Sequence, residues 1–331
     1  MSTHAGRGGG PLRLATRGSP LARWQAGRVA QLLGARPGAP TCELVVLQTT
    51  GDRLADVPVD RLGGQGAFVT EIQTAVLDGR ADIAVHSAKD LPSVTPPGLR
   101  LACVPERGDP RDALVGLRLV DLGPGARVAT GSVRRRAQLA WLRPDLTFVE
   151  LRGNMATRLE RARRAGAGVV AVAALERLGL IGQVAEVLDT GTVLPQVAQG
   201  ALALECRADD DATATLLGGI DDTVAHRAVT AERAFLAALG GGCTLPVGAL
   251  ATPSGFAGGA GGDGRPTGPP TPAVGELALE GMVATRDGRI LLRRCATGGD
   301  PLELGRRLAA DLLDRGGRML DDWDVGSGPP S

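Results

Sequence analysis

The sequence predicts an α/β fold in which two consecutive α/β domains are followed by a small α+β domain. From Leu12 onward, short apolar runs alternate with segments of helical periodicity, a pattern typical of layered α/β proteins with a largely parallel sheet. The last third differs, because Pro246–Ala251, Gly275–Ala284 and Arg289–Ala296 alternate like antiparallel strands before an amphipathic helix at Leu302–Leu313.

The first two domains show the same order of elements. Strands are predicted at Leu12–Thr16, Glu43–Gln48, Ile83–His86, Leu99–Val104, Arg127–Thr130, Thr147–Leu151, Val169–Ala173 and Ala201–Glu205. Helices are predicted at Ser19–Leu33, Phe68–Leu77, Val133–Leu142, Met155–Ala165, Leu175–Leu178 and Thr223–Leu239. Residues 1–11 and 326–331 are rich in Gly, Pro and Ser and are expected to be disordered, and 253–272 is expected to be a flexible insertion.

Composition excludes several classes of protein. A net charge of +1, with 43% hydrophobic and 22% charged residues, argues against a disordered chain and against an overall basic nucleic-acid binder. No apolar run approaches the roughly 18 residues of a membrane-spanning helix, and the N-terminal residues lack a secretory signal pattern. Five cysteines without CxxC spacing argue against a disulfide framework or zinc site, so a reducing cytoplasm is expected. Tyrosine is absent, so the cores are expected to consist of Leu, Val, Ala and Ile.

The end of the third predicted strand carries the first candidate site. Lys89 and Asp90 follow the strand directly, and ligands in open α/β sheets bind beyond the carboxyl ends of strands. Lys89 is the only lysine among 37 basic residues, which favours a specific need for a compact ammonium group. A surface ion pair of little energetic value is the alternative. His86 is expected to be a hydrogen-bonded structural residue.

Arginines stand in the first turn of a predicted helix after the strand that ends at Thr130. Ser132 is a natural N-cap, and Arg134 and Arg135 follow it. Cations there oppose the helix dipole at a cost of up to about 1 kcal/mol each, whereas a bound anion reverses the sign. Solvated arginine is the alternative, and nucleic acid is the runner-up ligand, although aromatic stacking residues are missing nearby.

Two more strand-to-helix turns carry the same combination of arginine and a capping residue. Arg152, Asn154 and Arg158 surround one turn, and Arg17 and Ser19 follow the first strand. Together, the three turns predict a site for a ligand with several carboxylates or phosphates.

Cys243 follows three glycines, on a loop predicted to connect a helix to a strand. A thiol on such an accessible loop favours a covalent role. The other four cysteines lie in or beside strands and are expected in the core, namely Cys42, Cys103, Cys206 and Cys295. A phosphate-binding glycine loop is disfavoured because the Walker Lys-Ser/Thr is absent. Two other interpretations stay open: a carboxylate or phosphate receptor without chemistry, and an unrelated thiol enzyme that uses Cys243 as its nucleophile.

Ten segments in this order resemble the hydroxymethylbilane synthase family, also called the porphobilinogen deaminases. They are LATRGSPLARWQA (14–26), GDR (51–53) with GGQGAFVTEI (63–72), RADIAVHSAKDLP (80–92), ERGDPRDAL (106–114), TGSVRRRAQL (130–139), RPDL (143–146), LRGNMATRL (151–159), AVAALERLGL (171–180), QGALALECR (199–207) and TAERAFLAALGGGCTLPVGA (230–249). They cover most of residues 12–251, and jointly they are very specific.

The resemblance implies two α/β domains like those of periplasmic binding proteins, at residues 12–105 with 200–220 and at 106–199. A C-terminal α+β domain at 221–325 would carry a dipyrromethane cofactor, attached to Cys243 by a thioether. The implied reaction adds four molecules of porphobilinogen head to tail onto this primer, with loss of ammonia, and hydrolysis then releases hydroxymethylbilane for porphyrin and heme biosynthesis. A monomer without bound metal is expected.

The resemblance also implies roles for individual residues. Asp90 would be catalytic, accepting hydrogen bonds from pyrrole N–H groups and stabilising the positive charge that develops as ammonia leaves. The residues expected to hold the cofactor are Lys89, Asp90, Thr130, Ser132, Arg134 and Arg135. The residues expected to contact substrate are Arg17, Ser19, Arg152, Arg158, Arg177 and Gln199, the last of which is expected near the domain hinge.

The sequence departs from the commonest family pattern at a few positions. Arg61 and Gln65 stand where lysines are frequent, and Gly131 stands where a second serine is common. The Gly-rich loop at 51–66 is expected to act as a lid that makes room for the growing chain.

Overall fold

A computed structural model describes residues 10–38, 40–49, 69–240, 245–255 and 275–320. Several predictions concern positions outside the described residues, namely residues 1–9, the 51–66 loop, Cys243, most of the 253–272 insertion and the 326–331 tail. None of the helices in the described part of the chain is long and apolar enough to span a membrane.

Strands and helices follow the predicted order, with some additions. The strands are β1 (Leu12–Arg17), β2 (Cys42–Leu47), β3 (Ile83–Ser87), β4 (Leu99–Cys103), β5 (Asp112–Gly116), β6 (Arg127–Ala129), β7 (Thr147–Val149), β8 (Ala167–Ala171), β9 (Val184–Leu188), β10 (Leu202–Arg207), β11 (Val247–Pro253), β12 (Leu277–Ala284) and β13 (Leu291–Gly298). The α-helices are α1 (Pro20–Gly34), α2 (Thr70–Leu77), α3 (Val133–Leu142), α4 (Met155–Ala165), α5 (Val172–Arg177), α6 (Asp211–Gly218), α7 (Thr223–Ala238) and α8 (Pro301–Asp314). Short 3₁₀ turns lie at Ala88–Asp90, Leu119–Asp121, Ile181–Gln183 and Gly317–Met319.

Two five-stranded sheets form the first two-thirds of the chain, with orders β2-β1-β3-β10-β4 and β7-β6-β8-β5-β9. In the first sheet β1 pairs in parallel with β2 and β3, whereas β10 is antiparallel to β3 and β4. In the second sheet β6 is parallel to β7 and β8, whereas β5 is antiparallel to β8 and β9. Four of the five strands in each sheet therefore run in the same direction, as expected for largely parallel sheets. The fifth strand, β10 or β5, is antiparallel and enters its sheet after the chain has crossed from the other one.

The third sheet is antiparallel, with order β11-β12-β13, and it packs with α7 and α8 as an α+β layer. The expected α/β and α+β classes are confirmed, while the residue limits of the three domains stay a prediction. The cores consist mainly of Leu, Val, Ala and Ile, as expected, and Phe235 in α7 is the one fully buried aromatic ring of the described residues.

Three helices begin at the caps that the sequence predicts. Ser19, Ser132 and Asn154 each accept a hydrogen bond from a backbone N–H in the first turn of α1, α3 and α4. These bonds satisfy donors that a helix end otherwise leaves unpaired. The predicted cores correctly contain Cys103 and Cys206, whereas Cys42 is half-buried. The expectation for Cys295 is wrong, because this residue is exposed on the edge strand β13.

The two passages of chain between the first and second sheets are bonded to each other. The N–H of Gly108, in the first passage, donates to the carbonyl of Gly200, in the second, at 3.2 Å. Arg107 Nε donates to the Gln199 carbonyl at 2.9 Å. Gly200 has φ of +87°, and a Cβ there would lie 2.4 Å from the Gly108 oxygen, so only glycine allows this approach.

A buried carboxylate on α7 ties both passages to the third sheet. Glu232 is 0% exposed and accepts from Arg107 Nη1 at 2.6 Å and Nη2 at 3.2 Å. Its oxygens also accept from the N–H of Ala198 at 2.6 Å and of Ala251 at 2.9 Å. Ala198 has φ of 59°, the one positive value among the described non-glycine residues, and this bond holds it there.

Replacing Glu232 by glutamine is expected to lower the free energy of unfolding by about 3–5 kcal/mol, because Arg107 would stay buried without its counter-charge. Urea unfolding measures this. Glu160→Gln is the matched control, since Glu160 pairs with Arg164 at the surface, and its effect should stay below about 1 kcal/mol. Equal effects of the two substitutions would contradict this account of Glu232.

Candidate active site

The carboxyl ends of β1 and β3 in the first sheet, and of β6 and β7 in the second, carry most of the predicted site residues. Arg17 ends β1, and Lys89 and Asp90 lie on the 3₁₀ turn after β3. Thr130 and Ser132 follow β6, and Arg152 and Arg158 follow β7. The two groups come together across the sheets, since the charges of Asp90, Arg135 and Arg158 all act on the ammonium of Lys89.

A cavity lies between these strand ends and the C-terminal region. Its walls come from the turn after β3, the start of α3, the second passage between the sheets, and α7 with the segment before β11. The lining residues are Ala88, Lys89, Leu91, Ser93, Ser132, Arg134, Gln196, Val197, Arg233, Leu236, Leu245 and Val247. Leu236 and Leu245 precede and follow the segment that contains Cys243, so the chain enters and leaves that segment along a wall of the cavity.

Lys89 is half-buried in this environment, and its Nζ donates to Gln199 Oε1 at 3.5 Å. Burial lowers the pKa of Lys89 to about 8, an effect that Asp90 opposes and Arg135 reinforces. A partly dehydrated ammonium is a strong point charge for an anion, because the surrounding protein screens it less than water does.

Asp112, at the start of β5, is a site residue to which the sequence analysis gave no role. It is 0% exposed, and its Oδ1 accepts from Arg135 Nε at 3.0 Å and Nη2 at 2.7 Å. Its Oδ2 accepts from Arg134 Nη2 at 2.7 Å, and Gln199 Nε2 donates to Oδ1 at 2.8 Å. Burial alone would raise the pKa of Asp112, but the charges of the two arginines and the hydrogen bonds hold it well below its usual range.

Arg134 and Arg135 are therefore neutralised by a protein carboxylate rather than exposed at the helix start. They are 2% and 7% exposed, and they also donate to the carbonyls of Leu194 and Val169 at 2.6 and 3.0 Å. Nε of Arg134 is buried without a hydrogen-bond partner among the described residues. Arg134 lines the cavity, and the part that both arginines play toward a ligand stays a prediction.

The turn between β6 and α3 is built from the predicted polar residues. Buried Thr130 accepts from the N–H of Ser132 at 3.2 Å, and Ser132 Oγ accepts from the N–H of Arg135 at 3.4 Å. A Cβ at Gly131 would lie 2.6 Å from the Leu151 carbonyl oxygen. Glycine at this departure from the family pattern thus lets the turn after β6 approach the turn after β7 closely.

The turn after β7 holds its two arginines by local contacts. Arg152 Nε lies 2.9 Å from Oε1 of the exposed Glu150, and Arg158 Nε donates to the Gly153 carbonyl at 2.8 Å. Burial lowers the pKa of Arg158, with a further contribution from Arg135, while Asp90 opposes it. Arg158 and Asp90 thus influence each other across the two sheets.

The remaining predicted residues lie at the first strand end and beside the passages. Ser19 accepts from the N–H of Ala22 at 3.2 Å and fixes the start of α1. Arg177 lies over the Trp24 ring with Cζ 5.7 Å from its centroid and donates to the Gly200 carbonyl, so it bridges α1 and the second passage.

Gln199 also belongs to the second passage, and it is 1% exposed. Its side-chain NH₂ group donates to the carbonyl of Pro110 at 2.7 Å and to Asp112 Oδ1, and its Oε1 accepts from Lys89 Nζ. Gln199 therefore connects the two sheets at their junction. In the described ranges, no group of three or more His, Cys, Asp or Glu residues could hold a metal ion.

The low pKa of Lys89 gives a direct prediction, because this residue is the only lysine. In protein without bound ligand, the rate of acylation at Lys89 by an amine-reactive reagent is expected to rise with a midpoint near pH 8. Peptide mapping by mass spectrometry separates Lys89 from the terminal amine. A midpoint near the ordinary lysine value of about 10.4 would contradict the partly dehydrated environment.

Asp112→Asn is expected to destabilise the protein by about 3–5 kcal/mol at pH 7, because two buried guanidinium groups lose their counter-charge. The folded pKa of Asp112 is depressed, so the wild-type advantage is present above the unfolded pKa of about 3.9 and declines as pH falls below it. Urea unfolding from pH 7 down to 3 should therefore show the two proteins converging. A difference that is constant with pH would contradict this assignment.

Comparisons with known proteins identify the family to which this chain belongs. The family model described as "Porphobilinogen deaminase, dipyromethane cofactor binding domain" matches residues 12–215, and "Porphobilinogen deaminase, C-terminal domain" matches 226–314. The porphobilinogen deaminase of Roseiflexus sp. (strain RS-1) is 47% identical over 317 residues, covering 93% of this chain and 98% of its own. The porphobilinogen deaminase of Acidothermus cellulolyticus is 44% identical over 330 residues, covering 96% of this chain and 93% of its own.

The chain also has more distant similarity to solved structures of ligand-binding proteins. A TRAP periplasmic solute binding protein from Desulfovibrio salexigens is 12% identical, covers 65% of this chain and 73% of its own, and has a TM-score of 0.41. A ligand binding component of an ABC-type import system from Staphylococcus aureus is 11% identical, covers 68% and 73%, and has a TM-score of 0.36. The family models and the sequence relatives together span both the cavity walls and the C-terminal region, and the chain belongs to the porphobilinogen deaminase family.

Proposed function

We propose that this protein is a hydroxymethylbilane synthase, which condenses four molecules of porphobilinogen head to tail on a covalent dipyrromethane primer. The observation that carries the proposal is the cavity between Lys89, Arg134 and the chain on either side of the Cys243 segment. The family matches over residues 12–215 and 226–314 support it independently.

The residues around the cavity fit a dipyrromethane group. Each of its pyrrole rings carries an acetate and a propionate, so the bound group is a polycarboxylate. Lys89 supplies a cation, and buried Arg134 Nε lacks a partner among the described residues. Arginine donors of this kind favour carboxylates. When bound, this cofactor supplies the primer on which the product is assembled.

Asp90 is proposed as the catalytic residue. In the reaction, the C–N bond of the substrate aminomethyl group breaks and ammonia leaves, so positive charge develops on the substrate pyrrole. The half-buried Asp90 carboxylate, held on a 3₁₀ turn beside Lys89, would accept a pyrrole N–H bond and stabilise that charge. Preorganised groups aimed at developing charge typically contribute about 3–4 kcal/mol.

The arginines are proposed to bind and position carboxylates rather than to transfer protons, because arginine stays protonated. Arg17, Arg152 and Arg158 would bind those of the incoming substrate and growing chain, with Ser19 at the same turn as Arg17. Lys89, Thr130, Ser132, Arg134 and Arg135 would hold the cofactor. Arg177 and Gln199 would shape the junction that they bridge in the structure.

The chain is proposed to act as a monomer in the cytoplasm. The resemblance to the family is the ground for expecting a monomer. Cys42, Cys103, Cys206 and Cys295 are free thiols, as is usual in a reducing compartment.

The test of this function is intact-mass measurement after incubation with porphobilinogen. The wild-type chain is expected to carry two linked pyrroles, with the mass localised to Cys243 by peptide mapping, and to release a linear tetrapyrrole. Cys243→Ser is expected to carry no such mass, and Cys295→Ser is the matched control because Cys295 is exposed far along the chain from the glycine loop. An unmodified wild-type chain would favour the receptor interpretation.

Asp90→Asn is expected to reduce kcat by roughly 10²–10³, since the variant loses the negative charge at the developing cation. The rate of tetrapyrrole formation measures this, and circular dichroism checks the fold. Asp78→Asn is the control, because Asp78 is exposed, pairs with Arg80 at the surface and does not line the cavity. A kcat for Asp90→Asn within threefold of wild type would remove Asp90 from the mechanism.

A further inference from the structure

Arg233 is the charged residue that the C-terminal region contributes to the cavity, among the described residues that line it. It lies in α7, and the other lining residues from this region, Leu236, Leu245 and Val247, are apolar. Neither the sequence motifs nor the proposed mechanism gives Arg233 a role. The wall that contains Arg233 also contains Leu236 and Leu245, the residues that precede and follow the segment with Cys243.

The Arg233 guanidinium is buried with incomplete hydrogen bonding. The residue is 8% exposed, and Nη2 donates to Thr95 Oγ1 at 3.3 Å. Nη1 is buried and has no hydrogen-bond partner in the described part of the chain. Burial lowers the pKa of Arg233, yet an arginine keeps its proton at any physiological pH. A buried cation with an unsatisfied donor costs free energy unless an anion completes it.

Glu205 does not complete it, although its negative charge partly offsets that of Arg233. Gln73 Nε2 donates to Glu205 Oε2 at 2.8 Å, and His86 Nε2 lies 3.4 Å from the same oxygen. Between the described groups of Glu205 and Arg233 no ion pair forms within 4.0 Å. Glu205 thus faces His86 of β3 and Gln73 of α2, and it leaves Arg233 Nη1 without a partner among the described residues.

Arg134, on another wall of the same cavity, has a second guanidinium nitrogen whose hydrogen-bonding capacity is not used by the described residues. Arg134 Nε is buried and has no hydrogen-bond partner among the described residues, although Asp112 and the Leu194 carbonyl accept from its terminal nitrogens. Lys89 adds a third cationic group. Cations therefore line the cavity on the walls of the first sheet, the second sheet and the C-terminal region, as a ligand with several carboxylates requires.

We propose that Arg233 binds a carboxylate side chain of the pyrrole group attached at Cys243. This inference rests on the proposed function, because that function supplies the attached polycarboxylate. The C-terminal region would then hold the cofactor twice, by the thioether and by a charged hydrogen bond. The second contact fixes the rotation of the attached group, which a single bond to sulfur leaves free.

The test compares thermal unfolding of the protein with and without its cofactor. Apoprotein is made in a host that produces no porphobilinogen and is then loaded with porphobilinogen, with intact mass confirming both forms. Loading is expected to raise the Tm of the wild type. Arg233→Met is expected to reduce that rise by roughly 3–6 °C, the shift that corresponds to one charge-assisted hydrogen bond. Arg227→Met is the control, because Arg227 lies on the same helix but donates to the carbonyls of Gly275 and Gly299.

A structural role beside Glu205 predicts a different result. In that case Arg233→Met lowers the Tm of the apoprotein and of the loaded protein equally, so an unchanged rise overturns the proposal. If Arg233→Met does not fold, Arg233→Gln removes the charge but keeps a donor for Thr95, and a full wild-type rise in that variant overturns the proposal as well. A wild-type chain that gains no pyrrole mass would instead contradict the proposed function itself.

Discussion

One buried carboxylate, that of Asp112, is the constraint on which the site depends. It neutralises Arg134 and Arg135, two guanidinium groups that otherwise repel each other in the first turn of α3. Through Gln199 it also connects to Lys89, at the end of a strand in the other sheet. The position of cationic groups from both sheets is therefore set by a single anion before any ligand arrives, which spares the protein the reorganisation that binding would otherwise require.

Glu232 applies the same principle at the junction with the third sheet. Buried ion pairs contribute little net stability compared with apolar packing, but breaking one is costly, so they favour a single arrangement of the groups they join. Asp112 and Glu232 both bind groups of the two passages between the first and second sheets. Asp112 accepts from arginine and from the Gln199 side chain, and Glu232 accepts from arginine and from the Ala198 N–H. Lys89 and Arg233 also line the cavity, and a polycarboxylate there would bind the Arg233 donor that has no partner among the described residues.

Local signals in the sequence predicted much of this arrangement, and nonlocal pairings were missed. The caps Ser19, Ser132 and Asn154 depend only on the turn that follows them, so their positions were predicted correctly. The strands β5 and β9 were missed, and the antiparallel direction of β5 and β10 was not predicted, because pairing between distant segments leaves no local pattern. The short helix α6 was missed as well. Asp112 is separated from Arg134 by 22 positions, so no motif spacing could show that they form a pair. The exposure of Cys295 likewise follows from the edge position of β13, which alternation alone does not reveal.

The central claim is that a polycarboxylate chain grows in this cavity on a primer that the protein keeps. An isotope-chase experiment tests it most directly. Apoprotein is loaded with ¹³C-labelled porphobilinogen, freed of excess, and then given unlabelled porphobilinogen for many turnovers while the masses of protein and product are followed. The account predicts that two labelled pyrroles stay on the protein and that the released tetrapyrrole becomes unlabelled. Transfer of the protein-bound label into the product during steady turnover would contradict it.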